Sequence, residues 1–255
     1  MLTADRIARL VEGRDDDPHG ALGVHADGKG WTACALPPGA DSVTAYALDG
    51  PTVGQLPRIH AQGLFRGPVD IAARQPLRYH AVYADGGDYW LVDPYGFGPV
   101  LGPLDDHLLG EGSHRRLFDR LGAHPIEHEG VPGTNFAVWA PNAQRVSVVG
   151  ESINWDGRRG MMRHRHDSGL WELFLPEVGA GARYKFEIIG AAGELLPLKS
   201  DPYAFRTEFR PATASVVAGL PQHIWGDHAH RAHWSEVDPR REPISIYEVH
   251  AGSWQ

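Results

Sequence analysis

The sequence has little of three things: cysteine, basic charge and long apolar runs. One cysteine, Cys34, stands among 255 residues, which excludes an intramolecular disulfide and suits a reducing compartment. The formal net charge is −8 and Lys and Arg form no stripe, so nucleic acid and an anionic membrane surface are disfavoured as partners. No apolar stretch approaches transmembrane length, and the acidic start lacks the apolar core of a signal peptide. We therefore expect a soluble cytoplasmic protein.

Motifs of the common catalytic and metal-binding classes are also missing. The sequence has no glycine-rich phosphate loop, nucleophile elbow or zinc motif. Two groups of histidines, His164 with His166 and the run from His228 to His233, lie beside arginines or in a predicted linker. A zinc site needs ligands that rigid elements fix in place, so we expect no metal and no cofactor. Cys34 has no base near it in sequence and is expected to be a buried, unreactive thiol.

Glycine and proline, by contrast, are abundant, with 31 and 20 residues. This composition favours many short strands over long helices and predicts an all-β fold. Residues 3–12 form the one clear helix of the sequence: Thr3 can cap it, and Ile7, Leu10 and Val11 share a face.

An internal repeat organises the strands. The triplet Asp-Pro-Tyr begins at Asp93 and again at Asp201, and a proline-centred turn lies at Pro37 and at Pro141, at nearly the same offset. We interpret the repeat as two tandem copies of one immunoglobulin-like β-sandwich. The predicted divisions are residues 1–122, residues 123–222 and a third part, residues 223–255, which holds a linker and a terminal strand.

The tryptophans of the second copy give the strongest chemical signal. Trp139 and Trp171 lie on predicted strands and are expected in the core. Trp155 lies in the turn "NWDG", where a large ring is hard to bury, and an exposed indole can stack on sugar rings while a nearby Lys185 binds hydroxyl groups. This combination suits a neutral polysaccharide. The alternative is that Trp155 is a packed lid over the edge of the sandwich.

Three segments carry a family resemblance that spans essentially the whole chain. They are "DPHGALGVH", the stretch from "GTNFAVWAPNAQRVSVVGESINWDG" to "KSDPYA", and "YEVHAGSW" near the end. Together they resemble the amino-terminal region of bacterial glycogen branching enzymes, whose second domain is a family-48 carbohydrate-binding module. The last segment resembles the first strand of their catalytic (β/α)8 barrel. The resemblance thus implies that Ile244–Gln255 begins a barrel whose remainder is missing, and that this segment is poorly anchored or packs against a neighbour.

The resemblance implies a function in α-glucan metabolism. The family cleaves an α-1,4 linkage and transfers the cut segment to a 6-hydroxyl, with two carboxylates from later barrel strands. No residue here matches those carboxylates, so we expect this stretch alone to be inactive and to bind or position glucan and brace the barrel. Trp155 and Lys185 match sugar-contacting positions, whereas Leu195, Leu196 and Ser215 replace other usual contacts.

Three alternatives remain open at this stage. The chain could be the front part of a debranching or trehalose-releasing relative, or a glucan-binding protein with no catalytic part. Both copies could also have a purely structural role. The first copy lacks the "NWDG" turn and is expected to act as a spacer or brace.

Overall fold

Most regular elements of the computed structural model are strands. The structure describes residues 2–28, 30–165, 168–219, 224–238 and 240–253. The helices of these residues are α1 (Ala4–Val11), α2 (Pro103–Gly110) and α3 (His228–Glu236). The strands of the first half are β1 (Gly23–Asp27), β2 (Gly30–Ala35), β3 (Ala40–Ala47), β4 (Thr52–Leu56), β5 (Arg58–His60), β6 (Leu64–Val69), β7 (Leu77–Tyr83) and β8 (Asp88–Val92). Those of the second half are β9 (Gly122–His128), β10 (Val131–Trp139), β11 (Arg145–Gly150), β12 (Arg163–Arg165), β13 (Leu170–Pro176), β14 (Arg183–Ile189), β15 (Arg206–Thr207) and β16 (Ser215–Val216).

The amino-terminal helix forms where the sequence predicts it. The hydroxyl of Thr3 accepts a hydrogen bond from Arg6 N at 3.2 Å, and Leu10 and Val11 are buried. The other two helices were not predicted. α2 has no buried residue and begins at a proline that follows Gly102, and α3 lies in a polar segment without apolar periodicity, so neither shows the pattern that reveals an amphipathic helix.

The prediction of an all-β fold with two sandwiches is confirmed. In the first half, the sheet orders are β1-β2-β6-β5 and β4-β3-β7-β8. In the second half, they are β12-β13-β10-β9 and β11-β14-β16-β15. Alternate residues of each strand point into the sandwich, as Val146 and Val148 of β11 do opposite Ile188 and Phe186 of β14.

The internal repeat is visible in atomic detail. In the first sandwich, the Tyr79 hydroxyl donates to Asp93 Oδ2 at 3.0 Å. In the second, Tyr184 donates to Asp201 Oδ2 at 2.5 Å. All four side chains are buried, and in each copy the other carboxylate oxygen accepts the backbone N–H two residues later. Burial raises the pKa of Asp93 to about 7 and raises that of Asp201 as well.

The two sandwiches share a hydrophobic core. One cluster combines Leu10 and Leu22 from the first half with Phe136 and Trp171 from the second. The chain up to Gly219 accordingly forms one compact unit, and the predicted division near residue 122 stays a prediction.

Buried polar bonds reinforce this contact. Glu172 Oε2 accepts the backbone N–H groups of Val100 and Leu101 at 3.1 and 2.9 Å, and its Oε1 accepts from Arg165 at 2.9 Å. At the opposite sheet, the Arg145 guanidinium donates to the carbonyl of Gly13 at 2.7 Å. Hydrogen bonds therefore hold the segment after β8 and the end of α1 against the second sandwich.

The remainder of the chain forms a separate unit. The predicted strand over Ile244–Val249 is wrong for this structure, which assigns no strand to those residues. Their apolar side chains, including Ile246 and Tyr247, are exposed. A strand forms only where a neighbour satisfies its backbone, and β-rich composition alone does not supply that neighbour. Across the described residues, no helix is long and apolar enough to cross a membrane.

Candidate glucan-binding site

The loop between β11 and β12 holds the "NWDG" turn. After Gly150, one short 3-10 turn covers Glu151–Ile153 and a second covers Gly157–Arg159. Between them, Trp155 N donates to the carbonyl of Gly150 at 2.9 Å. The turn is thus anchored directly to the end of β11.

The backbone of the turn is unusual at two successive residues. Asn154 and Trp155 both have φ of 56°, in the left-handed region. Asparagine visits this region readily, but a bulky side chain seldom does, at a cost of about 1–2 kcal/mol. Trp155 is nevertheless 42% exposed, so its burial offsets little of that cost. Strain of this kind is typical of sites that present a side chain to a ligand.

Two contacts fix the shape of the turn. Asp156 accepts the backbone N–H of Arg158 at 3.0 Å and binds its guanidinium through both carboxylate oxygens. Burial alone would raise the pKa of Asp156, but the hydrogen bonds from Arg158 outweigh it and hold this pKa below its ordinary value. Gly157 is also required, because a Cβ there would lie 2.0 Å from Glu187 Oε1.

Lys185 lies close to this turn in the sheet. It pairs with Val149, the residue before Gly150. The side chains of Lys185 and Glu187 project from the same face of β14, and Gly157 of the turn lies against Glu187. Trp155 therefore belongs to a turn that covers the face on which Lys185 stands.

Thr213 is a further candidate that sequence reasoning missed. The ammonium group of Lys185 donates to the Thr213 hydroxyl at 2.7 Å, and Ser200 donates to the Thr213 carbonyl at 2.5 Å. Thr213 is exposed. Its only sequence signal is a hydroxyl near the end of the domain, in "PATASVV", where Ser215 was considered instead.

Ser215 is not available to a ligand. It is fully buried, and its hydroxyl accepts the backbone N–H of Asp201 at 2.9 Å. Leu195 is 62% exposed, but its backbone bridges Ile189, four residues along β14 from Lys185, or about 13 Å. Leu196 is half-buried beside Ile188. The hydroxyl that Lys185 contacts is thus that of Thr213.

Charged groups border the site. Arg183, two residues before Lys185 on the same face, pairs with Glu151 of the loop and with Glu208. The hydrogen bond from Arg183 holds the pKa of Glu151 below its ordinary value. Together with Lys185, these groups carry two positive and two negative charges, so the border of the site adds little net field, which suits a neutral ligand.

The remaining tryptophans of the second sandwich behave differently from each other. Trp171 is fully buried, as predicted. The core prediction for Trp139 is wrong: its side chain is 56% exposed, and the indole donates to the carbonyl of Ser168. Phe136 and Val138 of β10 point inward, so the alternation of the strand sends Trp139 outward.

The other sequence candidates show no reactive arrangement. Cys34 is buried, and burial raises its pKa to about 12, as expected of an unreactive thiol. His164 stacks on Trp171, with centroids 4.2 Å apart, and His166 lies outside the described residues. The later histidines, from His228 to His233, lie on α3. In the part of the chain that the structure describes, no three His, Cys, Asp or Glu side chains lie close enough to share a metal ion.

Two models of protein families match the chain. Residues 3–95 match the model of the alpha-1,4-glucan branching enzyme GlgB, N-terminal domain. Residues 120–204 match the model of carbohydrate-binding module 48 (isoamylase N-terminal domain). The second match contains Trp155 and Lys185, whereas Thr213 lies just beyond it.

Relatives of high identity span the whole chain. The 1,4-alpha-glucan branching enzyme GlgB of Mesorhizobium japonicum is 61% identical over 255 residues, which are 100% of this chain and 34% of the relative. The corresponding protein of Agrobacterium fabrum is 56% identical over 254 residues, again 34% of its length. The chain thus spans about a third of the length of the curated relatives that it matches.

Solved structures give a weaker likeness. Ligand-free PulA from Klebsiella pneumoniae aligns with a TM-score of 0.34 and 18% identity, covering 78% of this chain and 21% of that one. Pullulanase type I from Bacillus subtilis, complexed with maltose, gives 0.35 and 17%, covering 80% and 28%. Scores this low carry no argument about this protein.

Proposed function

We propose that the second sandwich of this chain binds α-glucan. The chain carries the two front domains of the 1,4-α-glucan branching enzyme family, a GlgB N-terminal domain in residues 3–95 and a carbohydrate-binding module 48 in residues 120–204. Trp155 provides the stacking surface for a glucose ring. Lys185 and Thr213 donate to and accept from the ring hydroxyls.

The observation that carries this proposal is the exposed, left-handed Trp155. A fold that only needed to close the edge of a sandwich would gain more from a small residue or glycine at this position. Here the turn bears a strained and exposed indole, and Lys185 stands on the face of the sheet that the turn covers.

The whole protein, we propose, is a 1,4-α-glucan branching enzyme. It would cleave an α-1,4 linkage and attach the released segment through an α-1,6 bond, by double displacement with two carboxylates. We assign none of these carboxylates to the present 255 residues, which should therefore be inactive alone. The role of this part is to hold glucan for the catalytic barrel, with the cytoplasm as the expected site of action.

The first sandwich is proposed to act as a brace. Its "LDG" turn lacks an indole, and its core continues into that of the second sandwich. The buried bonds of Glu172 to Val100 and Leu101 serve the same end.

Native electrophoresis in gels with and without dissolved glycogen tests the proposed binding. The wild-type chain should be retarded by glycogen, and soluble malto-oligosaccharide should reverse the retardation. Trp155→Ala and Lys185→Ala should each weaken it, because they remove the stacking surface and a hydroxyl-binding group. Trp139→Ala is the matched control, since it removes an exposed indole at another place on the same sandwich.

The melting temperature separates binding from folding. Weaker retardation with an unchanged melting temperature supports the proposal. Retardation by Trp155→Ala equal to that of the wild type would refute the assignment of Trp155. A wild-type chain that glycogen does not retard would refute glucan binding altogether.

A further inference from the structure

A groove of about 290 Å³ lies between the two sandwiches. One wall is the segment Tyr89–Val92 of β8, and the other combines Ser152 and Ile153 with Leu175–Val178. We call it the interdomain groove. Its volume is near the lower end of the range for ligand sites and suits a few sugar rings better than a folded partner.

Trp90 forms a rigid aromatic surface in this groove. Its ring stacks on the ring of His80, with centroids 4.4 Å apart and planes 19° apart, while Tyr46 packs against it at 4.9 Å. His80 is held in turn by Asp88, at 2.7 Å between Nε2 and Oδ2. Trp90 is still 46% exposed. Because His80 and Tyr46 both pack against the indole, its exposed part forms a fixed surface for a ligand.

Polar groups at the groove can bind hydroxyls. Arg78 pairs with Glu177 at 2.7 Å across the two sandwiches, and Arg159 donates to the Tyr83 hydroxyl at 3.3 Å. Each contact joins a residue of the first sandwich to a residue of the second that lines the groove. Glu177 is exposed and has acceptor capacity beyond this one bond. β8 is also the edge strand of its sheet, so part of its backbone faces outward.

We infer that the interdomain groove is a second α-glucan site, with Trp90 as its stacking surface and Glu177 and Arg159 as hydroxyl-binding groups. This inference rests on the proposed function, because it takes α-glucan as the ligand of the chain. It adds a role for the first sandwich that the bracing function does not require.

The groove and the Trp155 turn share one loop of the chain. Ser152 and Ile153, which line the groove, belong to the same short loop as Trp155 and precede it by two or three residues. Glu177, like Trp155, is a non-glycine residue in the left-handed region, with φ of 61°. An aromatic floor with paired charges fits a neutral sugar chain, and a chain that reaches both sites gains affinity from their linkage.

Fluorine NMR of the chain labelled with 5-fluorotryptophan tests the inference directly. The eight tryptophan resonances are assigned with single variants, and the wild-type chain is titrated with maltoheptaose. We expect the resonances of Trp90 and Trp155 to shift and that of Trp139, the matched exposed control, to stay. In a Trp155→Ala background, Trp90→Ala should weaken the remaining binding about tenfold.

The outcomes separate the groove from the Trp155 site. A shift of Trp155 alone refutes the groove and leaves the proposed function standing. A shift of Trp90 alone supports the groove and refutes the Trp155 site, and no shift refutes both. An equal shift of Trp90 with the β-1,4 oligomer cellohexaose refutes the assignment to α-glucan. A Trp90 resonance that changes only with protein concentration shows a second copy of the chain in the groove and also overturns the inference.

Discussion

The two sandwiches share a framework and differ at one edge. In the first sandwich, a short turn connects β3 to β4, and the two strands pair with each other. Val43 of β3 lies opposite Leu56 of β4. In the second, the next strand after β11 is β12, which has three residues and pairs with β13 in the other sheet. An isolated bridge joins Ser147 to Met161, and the loop with Trp155 occupies the intervening chain. The strand that completes the sheet in one copy is replaced in the other by a turn that displays an indole.

This difference distinguishes the part of the repeat that stabilises the fold from the part that carries the proposed binding residues. The buried Tyr–Asp pair is present in both copies, Tyr79 with Asp93 and Tyr184 with Asp201. Because it lies inside the sandwich, it can serve the fold whatever happens at the edge. A sheet edge, by contrast, can exchange a strand for a loop without disturbing the core, and loops are where binding residues concentrate.

The largest expected effect concerns the connection between the sandwiches. Glu172→Ala removes a carboxylate that is 2% exposed and leaves the N–H groups of Val100 and Leu101 without their acceptor, while Arg165 loses one of its two carboxylate partners and keeps Asp106. We expect a loss of about 3–5 kcal/mol in the free energy of unfolding. Urea unfolding, followed by tryptophan fluorescence, measures it.

The same variant tests whether the sandwiches unfold together. If the connection couples them, the wild-type chain up to Gly219 unfolds in one transition and Glu172→Ala in two. Glu172→Gln is the control, since its amide oxygen can still accept the backbone N–H groups, whereas the charge and the acceptor for Arg165 are lost. A loss below about 1 kcal/mol in Glu172→Ala would mean that the shared core alone holds the sandwiches together.

The second prediction compares the two buried carboxylates by pH. The pKa of Asp93 is about 7 in the folded chain, against an ordinary value of 3.8. Between these values the native state keeps a proton that the unfolded state has released. The stability from this group is therefore complete below pH 3.8 and is lost as the pH rises through about 7, with an upper limit of about 4 kcal/mol.

Asp93→Asn should remove this pH dependence. Denaturant unfolding between pH 4 and pH 8 should show the wild type losing stability relative to the variant as the pH rises, after the change common to both is subtracted. Asp201→Asn should give a divergence of the same sign but smaller size, because burial of Asp201 is less complete. Parallel curves for wild type and Asp93→Asn would contradict the raised pKa of Asp93.

The third prediction tests whether the Tyr–Asp pairs are equivalent. Tyr79→Phe and Tyr184→Phe each leave a buried carboxylate with one hydrogen bond fewer, at a cost of about 1–3 kcal/mol. Tyr83→Phe is the control, because its hydroxyl accepts a single long bond from Arg159, and its loss should stay below about 0.5 kcal/mol. Thermal unfolding of the three variants makes the comparison. If only one of Tyr79→Phe and Tyr184→Phe loses stability, the two Tyr–Asp pairs have the same geometry but contribute differently to stability.

Much of this fold was predictable because it follows from local patterns. Alternating apolar strands and the repeated triplet at Asp93 and Asp201 predict two sandwiches, and Thr3 predicts the start of α1. Predictions from local patterns fail where the structure or burial of a residue depends on the other segments that it contacts. Ile244–Val249 has the composition of a strand but no strand forms there, and Trp139 lies on a strand but on its outward side.

The candidate site was predictable only in part. The turn "NWDG" identifies Trp155 as exposed without reference to the rest of the fold. The nearness of Lys185 depends on the register of β11 and β14, which sets Val149 opposite it, and sequence spacing does not determine register between distant strands. Thr213 enters the site only through its bond to Lys185.

The smallest expected effect tests the strain in the Trp155 turn. Trp155→Ala removes the indole but keeps an L-residue at φ of 56°, whereas Trp155→Gly also removes the steric cost of that conformation. We expect Trp155→Gly to be more stable than Trp155→Ala by about 1 kcal/mol, measured by thermal unfolding, while both lose glucan binding to the same extent.

The matched pair Ser152→Ala and Ser152→Gly lies in the same loop but outside the left-handed region. It should show the opposite order of stability, because glycine there only adds entropy to the unfolded chain. If Trp155→Gly is less stable than Trp155→Ala, the left-handed turn is not strained. The second sandwich then exposes its indole without a loss of stability compared with the first sandwich.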